Sequence, residues 1–113
     1  MNPDELLPLS PPVYHVLLAL GDETLHGYAM MQAIEALTDG AGRLLPGTLY
    51  ATLARMVETG LIEEAQAPDA GADARRRYYR ATPFGRRVAS AETARMTRLV
   101  EAARARRLAP EAR

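Results

Sequence analysis

Apolar residues along this chain recur mostly at helical spacing. Val13, Val16, Leu17 and Leu20 follow the i, i+3, i+4, i+7 pattern of a helix with one buried side. Ser10 stands before that stripe as a favourable N-cap, Pro11 suits a first turn, and Gly21 ends it. A second, short helix is expected from about residue 27 to residue 38, with Met30, Ile34 and Leu37 on one face and Asp39, Gly40 and Gly42 closing it. In the segment LLPGTLYATLARMVETGLIEE, residues 44–64, Pro46 and Gly47 are expected to break the chain before a third helix. Leu49, Leu53, Met56 and Val57 then share its inner face. At about 100° per residue, Thr48, Ala51, Thr52 and Arg55 project from the other side. Gly60 terminates this helix, and Leu61 and Ile62 lead into a strand.

Residues 67–74 are rich in Pro, Asp, Ala and Gly and read as a mobile loop without an apolar anchor. The two tyrosines of RRRYYRAT, residues 75–82, favour a second strand, so the pair forms a hairpin around the loop. Thr82 can cap a last helix with Pro83 in its first turn. Nothing before Pro110 interrupts its pattern of Phe84, Val88, Met96, Leu99, Val100 and Ala103. Such a helix spans roughly 25 residues, or about 37 Å.

Three short helices, a hairpin and a long helix give a mostly α (α+β) fold, a winged helix-turn-helix with a two-stranded wing and a long C-terminal dimerisation helix. The expected division is a DNA-binding domain over residues 1–81, the dimerisation helix over 82–108 and a tail over 109–113. In this fold the second helix of the motif enters the major groove. That places Thr48, Tyr50, Ala51, Thr52 and Arg55 on the recognition helix, where short side chains allow close approach to base edges and Arg55 reaches guanine or phosphate. Arg75, Arg76 and Arg77 fall on the wing, within reach of the DNA backbone or minor groove. Tyr28 and Tyr50 read equally as half-buried packing residues and as DNA contacts, and the two roles are compatible. The long helix is too large to bury both its sides on so small a domain, so a second copy is expected against Val88, Met96, Leu99, Val100 and Ala103. A homodimer on double-stranded DNA sets the spacing of two half-sites of a pseudo-palindrome.

Composition narrows the class. A chain of 113 residues holds one ordinary core, and 48% apolar with 25% charged residues matches a globular protein. No apolar run approaches the roughly 20 residues of a membrane span. Asp4 and Glu5 stand where a secretory signal would be basic, and cysteine is absent, so a soluble cytoplasmic protein without disulfides is expected. The net charge of zero hides an asymmetry: residues 1–69 carry ten acids and two arginines, a balance of −8, and the remainder carries twelve arginines and four acids, a balance of +8. His15 and His26 lack a convergent carboxylate pattern, Ser10 and Ser90 lack nucleophile surroundings, and no glycine-rich phosphate loop is present. Neither an enzyme nor a metal or other cofactor is expected.

The runs HGYAMMQAIEAL, PGTLYATLARMVETGLIEE and RRRYYRATPFGRRV closely resemble the PadR family of transcriptional regulators, in its short form with one C-terminal helix. The resemblance spans about residues 9–106 and implies a winged-helix homodimer that usually represses a nearby promoter. The family's G-x-L-Y signature falls on Gly47, Leu49 and Tyr50, its G-Y pair on Gly27 and Tyr28, and its wing on residues 75–79. Ala51 stands where members often have proline, and Ala81 where leucine is common. The chain lacks the tryptophans between which some short members stack planar drugs, so that pocket is not carried over. Two further readings stay open: a small-molecule effector that releases the repressor, and a winged-helix protein-interaction module without specific DNA binding, which the zero net charge favours.

Overall fold

Burial follows the helical stripes. In the computed structural model, which describes residues 2–69, 71–73 and 75–110, a 3-10 turn (Pro3–Leu6) precedes α1 (Pro11–Leu20). Val16, Leu17 and Leu20 of α1 meet Met30 and Ile34 of α2 (Gly27–Leu37) and Leu49, Leu53 and Met56 of α3 (Pro46–Glu58). Leu61, Ile62, Tyr79 and Val88 complete that single core. Each aliphatic side chain withdrawn from water contributes about 1.5–3 kcal/mol, which makes this cluster the main source of stability.

Two residues assigned to the inner faces lie elsewhere. Leu37 is 56% exposed as the last residue of α2, and Val57 is 39% exposed. Leu49, Leu53 and Met56 already fill the inner stripe of α3, and Val57 falls at its edge, seven positions along the row from Tyr50. Pro46 and Gly47 do not break the chain ahead of α3 but form its first turn, as expected of proline at N1. Ser10 occupies the N-cap position of α1 without a side-chain bond. Pro12 removes the N–H at the second helical position, one of the two donors such a cap serves.

The sheet has three strands where two were expected. β2 (Ile62–Ala65) and β3 (Tyr78–Ala81) pair antiparallel, with Ile62 opposite Ala81 and Ala65 opposite Tyr78. The short β1 (Leu25–His26) adds to the far edge of β3 and gives the order β1-β3-β2. This added pairing ties the segment before α2 to the base of the wing. Between β2 and β3, Asp69 accepts from the Gly71 N–H and Asp73 from the Arg75 N–H, each at 2.9 Å.

Thr82 joins three elements. Its hydroxyl donates to the Gly60 carbonyl and accepts from the Gly85 N–H at 2.9 Å, capping α4 (Pro83–Ala105) while holding it to the end of α3. Gly60, at φ +79°, takes the left-handed conformation that ends α3. Gly85 is required for a different reason, since a Cβ there would overlap the Leu61 carbonyl. Of the 23 residues of α4, those buried are Gly85, Val88 and Glu92. The distal part therefore leaves the core, and the molecule measures 51 × 33 × 25 Å. Among the described residues no helix is long and apolar enough to cross a membrane. Residues 111–113 of the expected tail lie outside the described residues.

Candidate nucleic-acid interface

The residues singled out on α3 fall on two surfaces. Thr48, Ala51 and Arg55 are exposed and Thr52 is half-buried, and all four line one shallow groove with Ser10, Pro12 and Val13 at the start of α1, whereas Tyr50 does not line it. The Thr52 hydroxyl donates to the Thr48 carbonyl at 2.8 Å. Its proton is committed, so toward a base edge it acts as an acceptor. The outward face also includes Gly47, Ala54 and Glu58. Ala54 extends the small surface, and Glu58 places an acceptor at its C-terminal end; helical spacing alone could have added both, since they lie near Ala51 on the wheel.

A second cleft opens beside this face. His26, Gly27, Tyr28, Tyr50, Arg76 and Arg77 line it, so it brings together the start of α2, a tyrosine of α3 and two wing arginines. The Tyr50 ring lies over Gly27, where an added Cβ would sit 2.6 Å from the phenol oxygen. That contact explains why glycine and tyrosine are needed at positions 23 residues apart. Tyr50 remains 49% exposed and Tyr28 55% exposed, so packing and a free hydroxyl coexist at Tyr50. The N-terminal N–H groups of α2 add partial positive charge at the same place.

The wing arginines are paired with acids of the wing itself. Arg75 Nε lies 3.3 Å from Asp73, Arg76 Nε 3.8 Å from Asp73, Arg77 Nε 3.5 Å from Glu64, and Arg80 Nε 2.8 Å from Glu63. The Arg75 bonds hold the Asp73 carboxyl below the usual carboxylate range. Arg76 also reaches His26, whose Nδ1 accepts from the Ala29 N–H at 3.2 Å. Arg55, by contrast, has no carboxylate within ion-pair distance among the described residues.

Of the apolar residues singled out on α4, Leu99 and Val100 are exposed, and Met96 and Ala103 half-buried. Val88 is fully buried in the core of its own domain and has no surface to offer a partner. Glu92, which the spacing of apolar residues on α4 does not single out, is buried, accepting from the Leu9 N–H at 2.7 Å and from Arg95 of its own helix. Arg86 donates to the Gly21 carbonyl at 2.8 Å, and Arg87 lies over the Phe84 ring.

A recognition-type helix with a small outward face, a preceding helix at its flank and a β-wing beside both define a winged helix-turn-helix protein. Residues 16–91 match the Transcriptional regulator PadR-like family, and the chain belongs to that family of DNA-binding regulators. It is 41% identical over 73 residues to a transcriptional regulator of Mycobacterium tuberculosis, covering 64% of this chain and 63% of that one. It is 39% identical over 84 residues, 74% of its length, to an uncharacterised 37.1 kDa protein in transposon TN4556 of Streptomyces fradiae, but spans only 22% of that protein. The chain thus covers less than two thirds of either relative. A PadR family regulator from Eggerthella lenta has a similar structure, with a TM-score of 0.60 and 27% identity over 88% of this chain and 80% of that one.

Proposed function

We propose that this chain is a sequence-specific DNA-binding repressor that acts as a homodimer on a pseudo-palindromic site. The observation that carries this reading is the cleft beside α3, where Tyr28, Tyr50, Arg76 and Arg77 surround the start of α2. A phosphate seated there meets helix N–H groups, hydroxyls and guanidinium groups together, which fixes the register of α3 in the major groove. Ala51 and Ala54 then let the helix approach the bases, Thr52 accepts from an exocyclic amine, and the unpaired Arg55 donates to guanine or phosphate. The wing's ion pairs are exposed and of little worth, so Arg75 and Arg77 exchange a carboxylate for phosphate at small expense.

Dimerisation rests on the distal half of α4. Leu99, Val100 and Leu108 are exposed beyond the last residue of α4 that the core buries, with Met96 and Ala103 alongside. Pairing that surface with a second copy fixes the separation of two recognition helices. The test is an anisotropy titration against the protein's own upstream region and a random duplex, repeated across salt. Specific binding that weakens steeply with salt is expected, because bound arginines release counterions. Equal affinity for both duplexes would remove the sequence-specific reading, and stoichiometric capture of a protein partner without DNA retention at low salt would replace it with an interaction module.

A further inference from the structure

His26 stands where β1, α2 and the wing meet. Its Nδ1 accepts from the Ala29 N–H at 3.2 Å and so caps α2. Arg76 Nη1 lies 2.8 Å from Nε2 and 3.1 Å from Nδ1. The Tyr78 ring packs edge-on against the imidazole with centroids 5.5 Å apart. The His26 and Arg76 side chains together form the wall between the cleft of Tyr28, Tyr50 and Arg77 and a second depression beneath the wing, lined by Thr24, Pro68 and Asp73. Arg76 is therefore held at the edge of the cleft by a ring, with Asp73 the only carboxylate within ion-pair distance of it among the described residues.

We infer that neutral His26 is a positioning residue for DNA binding, holding Arg76 at the phosphate cleft and the first turn of α2 in place, so that protonating it weakens binding. The inference rests on the DNA-binding reading above. The neutral ring has one bare nitrogen, Nδ1, which accepts from the Ala29 N–H. Nε2 therefore carries the proton, and Arg76 Nη1, close to both ring nitrogens, packs against the ring. The imidazolium has no acceptor left for the cap and sets two cations against each other. The groups facing His26 are the Ala29 N–H from α2, Arg76 and Asp73 from the wing and Tyr78 from β3, with Tyr28, Tyr50 and Arg77 across the cleft. Burial, then the Arg76 cation, keep the His26 pKa below the usual histidine value against the opposing pull of Asp73. The neutral form therefore prevails at neutral pH. Acidification puts one cation on the ring and drives another out of the cleft, so the cleft gains no charge while it loses a planar guanidinium and the α2 cap.

The test compares wild type, His26→Asn and Arg76→Ala by anisotropy on a duplex selected from a random library, between about pH 7.5 and pH 5.5. Asparagine keeps a capping acceptor and does not titrate. Wild-type affinity is expected to fall a few-fold on acidification, with little change in salt slope because one cation replaces another, while His26→Asn stays nearly flat. Arg76→Ala should bind weakly at both ends of the range, with only the smaller drop that loss of the α2 cap causes. In the free protein, the protection of the Ala29 amide relative to its intrinsic exchange rate at each pH should fall as His26 protonates. Parallel profiles for wild type and His26→Asn, or wild-type affinity that is constant or rises in acid, would overturn the inference and leave the DNA reading intact. Absence of any selected duplex at every pH would overturn both.

Discussion

Two sets of arginine–carboxylate pairs in this molecule share their chemistry and differ in burial. On α4, Glu92 is sealed inside the protein and accepts from both Arg95 and the Leu9 N–H. On the wing, Arg77 and Glu64 meet at 3.5 Å with most of both side chains in water. A buried carboxylate with two fixed donors is committed to the fold, because losing either donor leaves charge without solvation. An exposed pair is nearly neutral energetically and can open when a better anion arrives. Burial thus separates arginine chemistry that holds the N-terminal segment to α4 from arginine chemistry left free for a ligand.

Glu92→Ala is the most disruptive way to probe that contrast. Removing the carboxylate strands the Leu9 N–H and the Arg95 guanidinium, and the expected loss is about 3 kcal/mol in urea unfolding. The Arg95 bond, with further help from the Leu9 N–H and against the opposing effect of burial, holds the Glu92 carboxyl below the usual glutamate range. Its contribution is therefore present above the ordinary glutamate pKa and is lost as pH falls through the lowered one. Glu92→Gln keeps an acceptor but should lack that acid-dependent limb. An acid limb equal in wild type and Glu92→Gln would place the titrating group elsewhere.

Leu99→Asp moves the contrast along α4, from the part the core buries to the part it leaves bare. The substituted side chain lies on the outer surface, so each domain's core should survive. Sedimentation should show a monomer, and operator affinity should fall about a hundredfold once two half-sites no longer act together. A dimer that persists would remove the distal helix from the interface.

Arg77→Ala against Arg95→Ala compares the two regions directly. The wing change is expected to weaken binding to all duplexes by about tenfold and to lower the salt slope by about one, with little change in unfolding. The α4 change should do the reverse, lowering stability and leaving the salt slope intact. Equal effects on DNA binding would show that burial does not separate the two roles.

What could be read from the residues alone follows the same division between local and distant causes. The stripe of Leu49, Leu53 and Met56 was legible because helical period is a local property, and the Thr82 cap because its partner Gly85 lies three residues on. Val57 and Leu37 were misplaced because period gives a direction but not where the core stops. β1 has only two residues and owes its strand character to Tyr78 and Tyr79, more than fifty positions away. Glu92 reads as surface charge in an arginine-rich helix, and nothing nearby signals the Leu9 N–H eighty-three residues earlier. The cleft is legible only in part, since tyrosines and arginines can be picked out singly while the stacking of Tyr50 over Gly27 depends on how α2 crosses α3.

The smallest expected effect is the most informative about the wing. Glu64 sits opposite Tyr79 on β2 and reaches Arg77 through an exposed, imperfect contact. If phosphate and Glu64 compete for that guanidinium, Glu64→Gln removes the competitor and one repulsive charge near the DNA backbone while keeping the side chain's shape. Affinity for every duplex should then rise about two- to threefold, most clearly at low salt where such charges are least screened. Stability should barely change, because the exposed pair contributes little to folding. The Arg77→Ala background supplies the control: there the same substitution should lose most of its benefit, since the arginine to be released is gone. An undiminished gain would mean that Glu64 acts on DNA by repulsion alone, and that the wing's ion pairs do not hold its arginines in reserve.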